Sequence, residues 1–188
     1  TGIYHQCKNF AESRGTLYYK EMEWTDNTTK KTYTKKVIDK FVKHNPKEYW
    51  IAITDHYTLL TPEGGMDLRN TVGRFSSGYS VRLRNIYGFT MVGIQQQSAE
   101  SQSNESFKLD RLSPHPGNLA ENKSTKNDVN MMIGIYAPWR FNKAMHFDYD
   151  IKAFKDNIRF IEIILNRNGS QGATVPLYFD GAVNYFAE

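Results

Sequence analysis

Ile161-Glu162-Ile163-Ile164-Leu165-Asn166-Arg167-Asn168-Gly169-Ser170-Gln171-Gly172-Ala173-Thr174-Val175-Pro176-Leu177-Tyr178-Phe179 carries two β-prone runs around a polar turn. Asn and Gly both tolerate positive φ, so Asn168-Gly169 predicts a hairpin with a tight turn. Such a turn would fix Arg167 at an exposed strand end. There its planar fork of donors suits a phosphate, and supplied to a nucleotide on a neighbouring subunit it would be an arginine finger. The plainer alternative is an ordinary hairpin with a solvated arginine.

The chain around this hairpin has 188 residues, 39% of them hydrophobic and 14% aromatic. That is enough for a sizeable core and excludes a disordered class. A net charge of +4 and a pI near 9.0 are compatible with a polyanionic partner without requiring one. The single cysteine, Cys7, excludes an internal disulfide and fits a reducing compartment. No apolar run is long enough for a membrane span, and no signal peptide opens the chain. These features predict a cytoplasmic protein with no membrane partner. The opening Thr1 in place of methionine fits a piece of a longer protein.

Upstream, Leu17-Tyr18-Tyr19 is β-prone. Lys30 to Lys43 places Val37, Ile38, Phe41 and Val42 at roughly helical spacing, which predicts an amphipathic helix whose lysines form a solvated face or, as the alternative, touch nucleic acid. Tyr49 to Thr54 and Phe89 to Ile94 read as buried strands, with a mostly helical stretch from Leu68 to Tyr87 between them. A long polar segment, Ser98 to Asn127, precedes a third strand, Val129 to Tyr136. Alternating strands and helices predict an α/β fold with a mainly parallel sheet.

Two strand ends attract chemistry. Ile51-Ala52-Ile53-Thr54-Asp55 delivers an aspartate where a nucleotide-binding protein holds Mg²⁺ beside phosphates, although Asp55 also suits a turn cap. The next strand runs into Gln95-Gln96-Gln97. A glutamine amide there can meet a terminal phosphate or orient water, or the three can simply open a polar loop.

The order of these elements is more specific than any of them alone. Asp55-His56-Tyr57-Thr58-Leu59-Leu60, Val92-Gly93-Ile94-Gln95-Gln96, Leu119-Ala120-Glu121-Asn122-Lys123-Ser124, Asp128-Val129-Asn130-Met131-Met132 and Ile164-Leu165-Asn166-Arg167-Asn168-Gly169 follow one another in sequence. This succession resembles the carboxyl-terminal ATPase domain of DnaB-type replicative helicases. The likeness spans nearly the whole chain and is strongest in the hairpin. It implies a single partial RecA-like domain over residues 1–188, with helices on both faces of the sheet and a final β-hairpin. It also implies ATP and Mg²⁺ as cofactors, single-stranded DNA as substrate, and a homo-hexameric ring partnered by a primase or helicase loader.

Residue by residue, the resemblance makes Asp55 the Mg²⁺-associated acid. Gln96 becomes the phosphate-sensing residue and Arg167 the finger reaching a neighbour's ATP. Glu121, Asn122 and Lys123 become contacts to the DNA backbone. Departures mark a divergent relative, as from a phage, plasmid or mobile element. Ala120 stands where the family has an arginine, Leu165 where it has a lysine, and His56 where it has a tyrosine. Another RecA-like ATPase, of the recombinase, RadA-like or KaiC-like kind, fits the turn less well.

The chain also contains no phosphate cradle. The nearest approach to G-x-x-x-x-G-K-[ST] is Gly73-Arg74-Phe75-Ser76-Ser77-Gly78-Tyr79-Ser80, in which Tyr79 replaces the lysine. These residues alone are therefore expected not to hydrolyse ATP, and a nucleotide-free DNA- or protein-binding module is the other reading. The five histidines are scattered and match no metal-site spacing. Many of the tyrosines and tryptophans fall in predicted strands, where core packing explains them better than base stacking.

Overall fold

The structure, a computed structural model, describes residues 2–109 and 111–188. The chain divides into two compact units, Thr1–Ile94 and Gln95–Glu188.

In the first unit, helix α1 (Gly2–Ser13) leads into β1 (Gly15–Thr25), which pairs antiparallel with β2 (Thr32–Lys43) as a two-stranded ribbon. The helix predicted from Lys30 to Lys43 is thus a strand. Thr32, Tyr33, Thr34, Val37 and Ile38 are β-branched or aromatic and lose χ1 freedom in a helix. Each also gains a cross-strand partner, such as Trp24 opposite Tyr33 and Lys20 opposite Val37. Asp39 is left out of the register and forms a bulge. Asp26 nucleates the tip, where its carboxylate accepts the amides of Thr28 and Thr29 at 2.7 and 2.9 Å. Those bonds hold its carboxyl below the usual range.

Strands β3 (Trp50–Thr54) and β4 (Phe89–Gly93) pair in parallel. A crossover joins them, beginning with helix α2 (Leu68–Gly73) and continuing in wide π-type turns over Arg74–Ser80 and Leu83–Tyr87. Gly88, at φ 72°, ends it in the left-handed region, and its amide bonds back to Arg84. One core packs Trp50, Leu83, Tyr87 and Phe89 against Tyr4 and Ala11 of α1. A second packs Tyr57, Leu60, Val72 and Phe75. On the other side of the pair, Ile51, Ile53 and Val92 are exposed.

Tyr87 gives the first core a titratable handle. Its buried hydroxyl donates to Glu12 Oε1 at 2.9 Å, and burial, with that carboxylate second, pushes the phenol well above its ordinary value of 10.0. The folded chain therefore keeps a proton that the unfolded chain releases near pH 10. Below that pH the group's contribution is intact, and above it stability falls as pH rises. In urea titrations from pH 9 to 11.5, Tyr87→Phe is expected to show a shallower alkaline decline than the wild type.

In the second unit, β5 (Met131–Tyr136) is followed by the short strands β6 (Met145–His146) and β7 (Tyr149–Asp150), then β8 (Ile158–Asn166), β9 (Thr174–Asp180) and β10 (Tyr185–Ala187). The sheet order is β10-β9-β8-β5, and every neighbouring pair is antiparallel. This corrects the mainly parallel, RecA-like sheet expected from the sequence, since among the described residues only β3 and β4 run parallel. A parallel return needs a crossover of about a dozen residues or more, usually a helix. Between β5 and β8 lie only single turns, at Pro138–Phe141, Ile151–Phe154 and Lys155–Asn157, and the small β6–β7 pair. The chain therefore comes back antiparallel. The core beneath holds Leu112, Tyr136, Ile151, Ile158 and Phe160.

The β8–β9 hairpin forms as predicted, but by a different turn. Neither Asn168 nor Gly169 has positive φ, and the left-handed residue is Gly172, at φ 81°. Asn166 organises the loop instead. Its side chain accepts the Asn168 amide at 3.1 Å and donates to the Ser170 carbonyl at 3.2 Å.

Candidate functional site

Asp55 leaves β3 at an exposed position, as the sequence predicts for a strand-end acid. The chain turns there through a cis Asp55–His56 peptide, and His56 Nδ1 and Thr58 Oγ1 form a short hydrogen bond. The Tyr57 amide then donates to the Ile94 carbonyl at 3.0 Å, and the Ile94 amide to the Thr54 carbonyl at 3.0 Å. Tyr57 fills the space over Gly93, where a Cβ would lie 2.0 Å from the phenol oxygen. A glycine is thus required at the end of β4, beside the acid-ended strand.

In the second unit, the residue that leaves β4 is bound to the loop at 120–125. Gln95 Nε2 donates to the carbonyls of Ala120 and Asn122. Its Oε1 accepts from the buried Thr125 hydroxyl at 2.7 Å. Gln96, the glutamine singled out from the sequence, is exposed and joins by its backbone, its carbonyl accepting the Ala120 amide at 2.9 Å. Gln97 forms a bridge with Leu119. Three consecutive glutamines look alike in sequence, and the backbone phase decides which side chain meets the loop.

The loop presents Glu121, at φ 60°, and Lys123 to solvent. Asn122 is a cap. Its carboxamide oxygen accepts the Ser124 amide at 2.9 Å and the Ser124 hydroxyl at 2.6 Å, starting the turn Lys123–Asn127.

Arg167 grips the far end of the same loop. Its Nε donates to the Val129 carbonyl at 2.9 Å and one terminal nitrogen to the Asn127 carbonyl at 3.0 Å. Its amide adds a bond to the Asn130 carbonyl at 2.9 Å. The fork is thus partly engaged on the protein's own backbone, whatever else it meets. Arg167→Lys keeps the charge and loses the fork. It is expected to raise amide exchange across residues 127–130 about tenfold, read by exchange mass spectrometry, with a stability loss of about 1–2 kcal/mol.

Sequence reasoning missed two buried groups here. Arg159 lies under the Phe179 ring, 4.4 Å from its centroid, and pairs with Asp156 at 2.9 Å. Glu162 of β8 is buried and meets His146 Nε2 at 3.2 Å. No sequence pattern marks either one, because β8 is buried without alternation from Ile158 to Phe160.

No family model matches the chain, and a search among curated proteins finds no match.

The cofactors implied by the resemblance fare unequally. Mg²⁺ is commonly held by one or two carboxylates, with water and substrate phosphates completing the shell. Asp55 suits that mode. Among the described residues, no group of three or more His, Cys, Asp or Glu side chains is placed to hold an ion. The residues present do not fit a cradle for ATP phosphates: Gly73 ends α2, and Arg74–Ser80 is a continuous helical turn with Tyr79 where a lysine is needed. No helix among the described residues is long and apolar enough to cross a membrane.

Proposed function

We propose that this chain is the DNA-gripping part of a DnaB-type replicative helicase, an ATP-dependent ring motor that moves on single-stranded DNA in the cytoplasm. The observation that carries the reading is the Gln95 clamp. Gln95 is bonded through both ends of its amide to the loop that bears Glu121 and Lys123. A motor needs links of this kind to its DNA loops, and Lys123, exposed on this one, would meet a backbone phosphate without reading sequence. The order of motifs, from Asp55 through Gln96 to Arg167, supports the same reading.

The test is ATP hydrolysis by the product of the whole gene, whatever flanks these 188 residues. Turnover that rises on adding oligo(dT) supports a motor. Oligo(dT) binding without turnover or nucleotide binding would replace it with a second reading, a nucleotide-free DNA-binding module. The chain's lack of a phosphate cradle and the engagement of Arg167 on backbone carbonyls favour that second reading.

A further inference from the structure

The β1–β2 ribbon carries a second surface with a definite chemistry. Beyond Leu17 and Phe41, which pack against the core, most of its residues are exposed. Side chains alternate between the two faces, and cross-strand partners share one. One face therefore carries Tyr18, Trp24 and Tyr33 together with Lys20, Lys35 and Lys40. Trp24 and Tyr33 stack at 5.0 Å and 23°, and each is more than 40% exposed. Lys40 Nζ sits 5.3 Å from the Tyr18 centroid. The carboxylates Glu21 and Glu23 lie on the opposite face. The one acid beside the lysines is Asp39, at the bulge, which pairs with Lys20 at 3.0 Å. Lys30 and Lys31 extend the positive charge to the tip.

We infer that this face binds single-stranded nucleic acid, with Trp24 and Tyr33 as a stacking platform and Lys35 and Lys40 on the phosphates. Exposed rings interleaved with cations suit a flexible polyanion whose bases offer flat faces. From Tyr18 to Trp24 the strand spans about 20 Å, enough for several nucleotides. A second copy is a poorer occupant, because two-fold pairing would set Lys20, Lys35 and Lys40 against their own images. The inference stands apart from the helicase reading, since it uses neither the 120–125 loop nor a nucleotide.

The test is fluorescence anisotropy of fluorescein-labelled dT20 with the 188-residue protein. A Trp24→Ala/Tyr33→Ala variant is expected to bind at least about tenfold more weakly. Lys35→Ala/Lys40→Ala is expected to lower the slope of log affinity against log salt by about 1.4, from two phosphate contacts. The lysine pair provides a second reading if loss of the rings disturbs the ribbon. No wild-type binding would overturn the inference. So would affinity and salt slope unchanged in both variants, including the case in which Lys123→Ala alone abolishes binding. Ribbon variants that keep dT20 affinity but lose retention on phosphatidylserine vesicles, or lose a dimer by light scattering, would assign the face to a membrane or a second copy instead. Failure of ATP turnover in the whole gene product leaves this result unaffected.

Discussion

A Gln95→Ala variant is expected to unfold about 2 kcal/mol more easily and to free the loop at 120–125 while the sheet persists. The amide bridges three groups, and its removal leaves them only partly satisfied. The Ala120 carbonyl keeps the Asn122 amide at 2.7 Å, and the Thr125 hydroxyl keeps the Asn122 carbonyl at 3.0 Å. A bond lost at a part-buried group costs about 1 kcal/mol, and more where no replacement is at hand. Gln95→Glu is expected to be worse at neutral pH, because a carboxylate would face two carbonyl oxygens with nothing to donate. Acidification below the usual glutamate range should restore part of the loss, since a protonated carboxyl donates again. Urea titration gives the size of the effect, and amide exchange at Ala120 to Thr125 gives its location. Exchange confined to the loop is the signature of a clamp. A uniform rise across the second unit would show that Gln95 is ordinary core packing and would remove the main support for the motor reading.

The largest loss of stability is expected from Phe160→Ala. The ring is fully buried in the first part of β8. It meets His146 edge-on at 4.5 Å and Tyr149 at 5.5 Å, and it packs with Tyr136, Ile151 and Ile158. Emptying such a site costs about 3–5 kcal/mol. For a unit of this size that corresponds to a fall in Tm of more than about 10 °C, readable by calorimetry. Phe160→Leu should recover most of the loss, because it keeps much of the volume. A small effect for both would mean that the second unit draws its stability from elsewhere than the β5–β8 core.

The sequence displayed the parts of the fold whose local signals agree. Trp50–Thr54 and Phe89–Gly93 are short apolar runs at either end of a helical stretch, and they pair in parallel as that spacing implies. The β8–β9 hairpin was legible for the same reason. Where signals conflict, tertiary pairing decided. Val37, Ile38, Phe41 and Val42 suit a helix by spacing and a strand by their branched or aromatic side chains, and cross-strand partners such as Tyr19 opposite Ile38 and Leu17 opposite Phe41 favour the strand. Tyr33 fell in the predicted helix and Trp24 in no predicted element, so neither the ribbon nor the exposure of its stacked rings was legible. The direction of β8 depends on what the 137–157 segment fails to form, which no motif announces. At the candidate site, the loop and its flanking residues could be found by order, but the choice of Gln95 over Gln96 rests on backbone phase. The engagement of Arg167 rests on carbonyls that carry no sequence signature.

The ribbon also bears on how the protein tolerates crowding by its own kind. Two strands alone leave both outer edges of β1 and β2 with unpaired backbone donors and acceptors, a template for growth into mixed-chain sheets. Lys35 and Lys40 on one face of β2 and Lys36 on the other flank its open edge, and their charge would repel a second ribbon approaching edge to edge. Stripping these charges, by mutation or by strong salt, would leave an aromatic, edge-exposed hairpin with the makings of an aggregation seed.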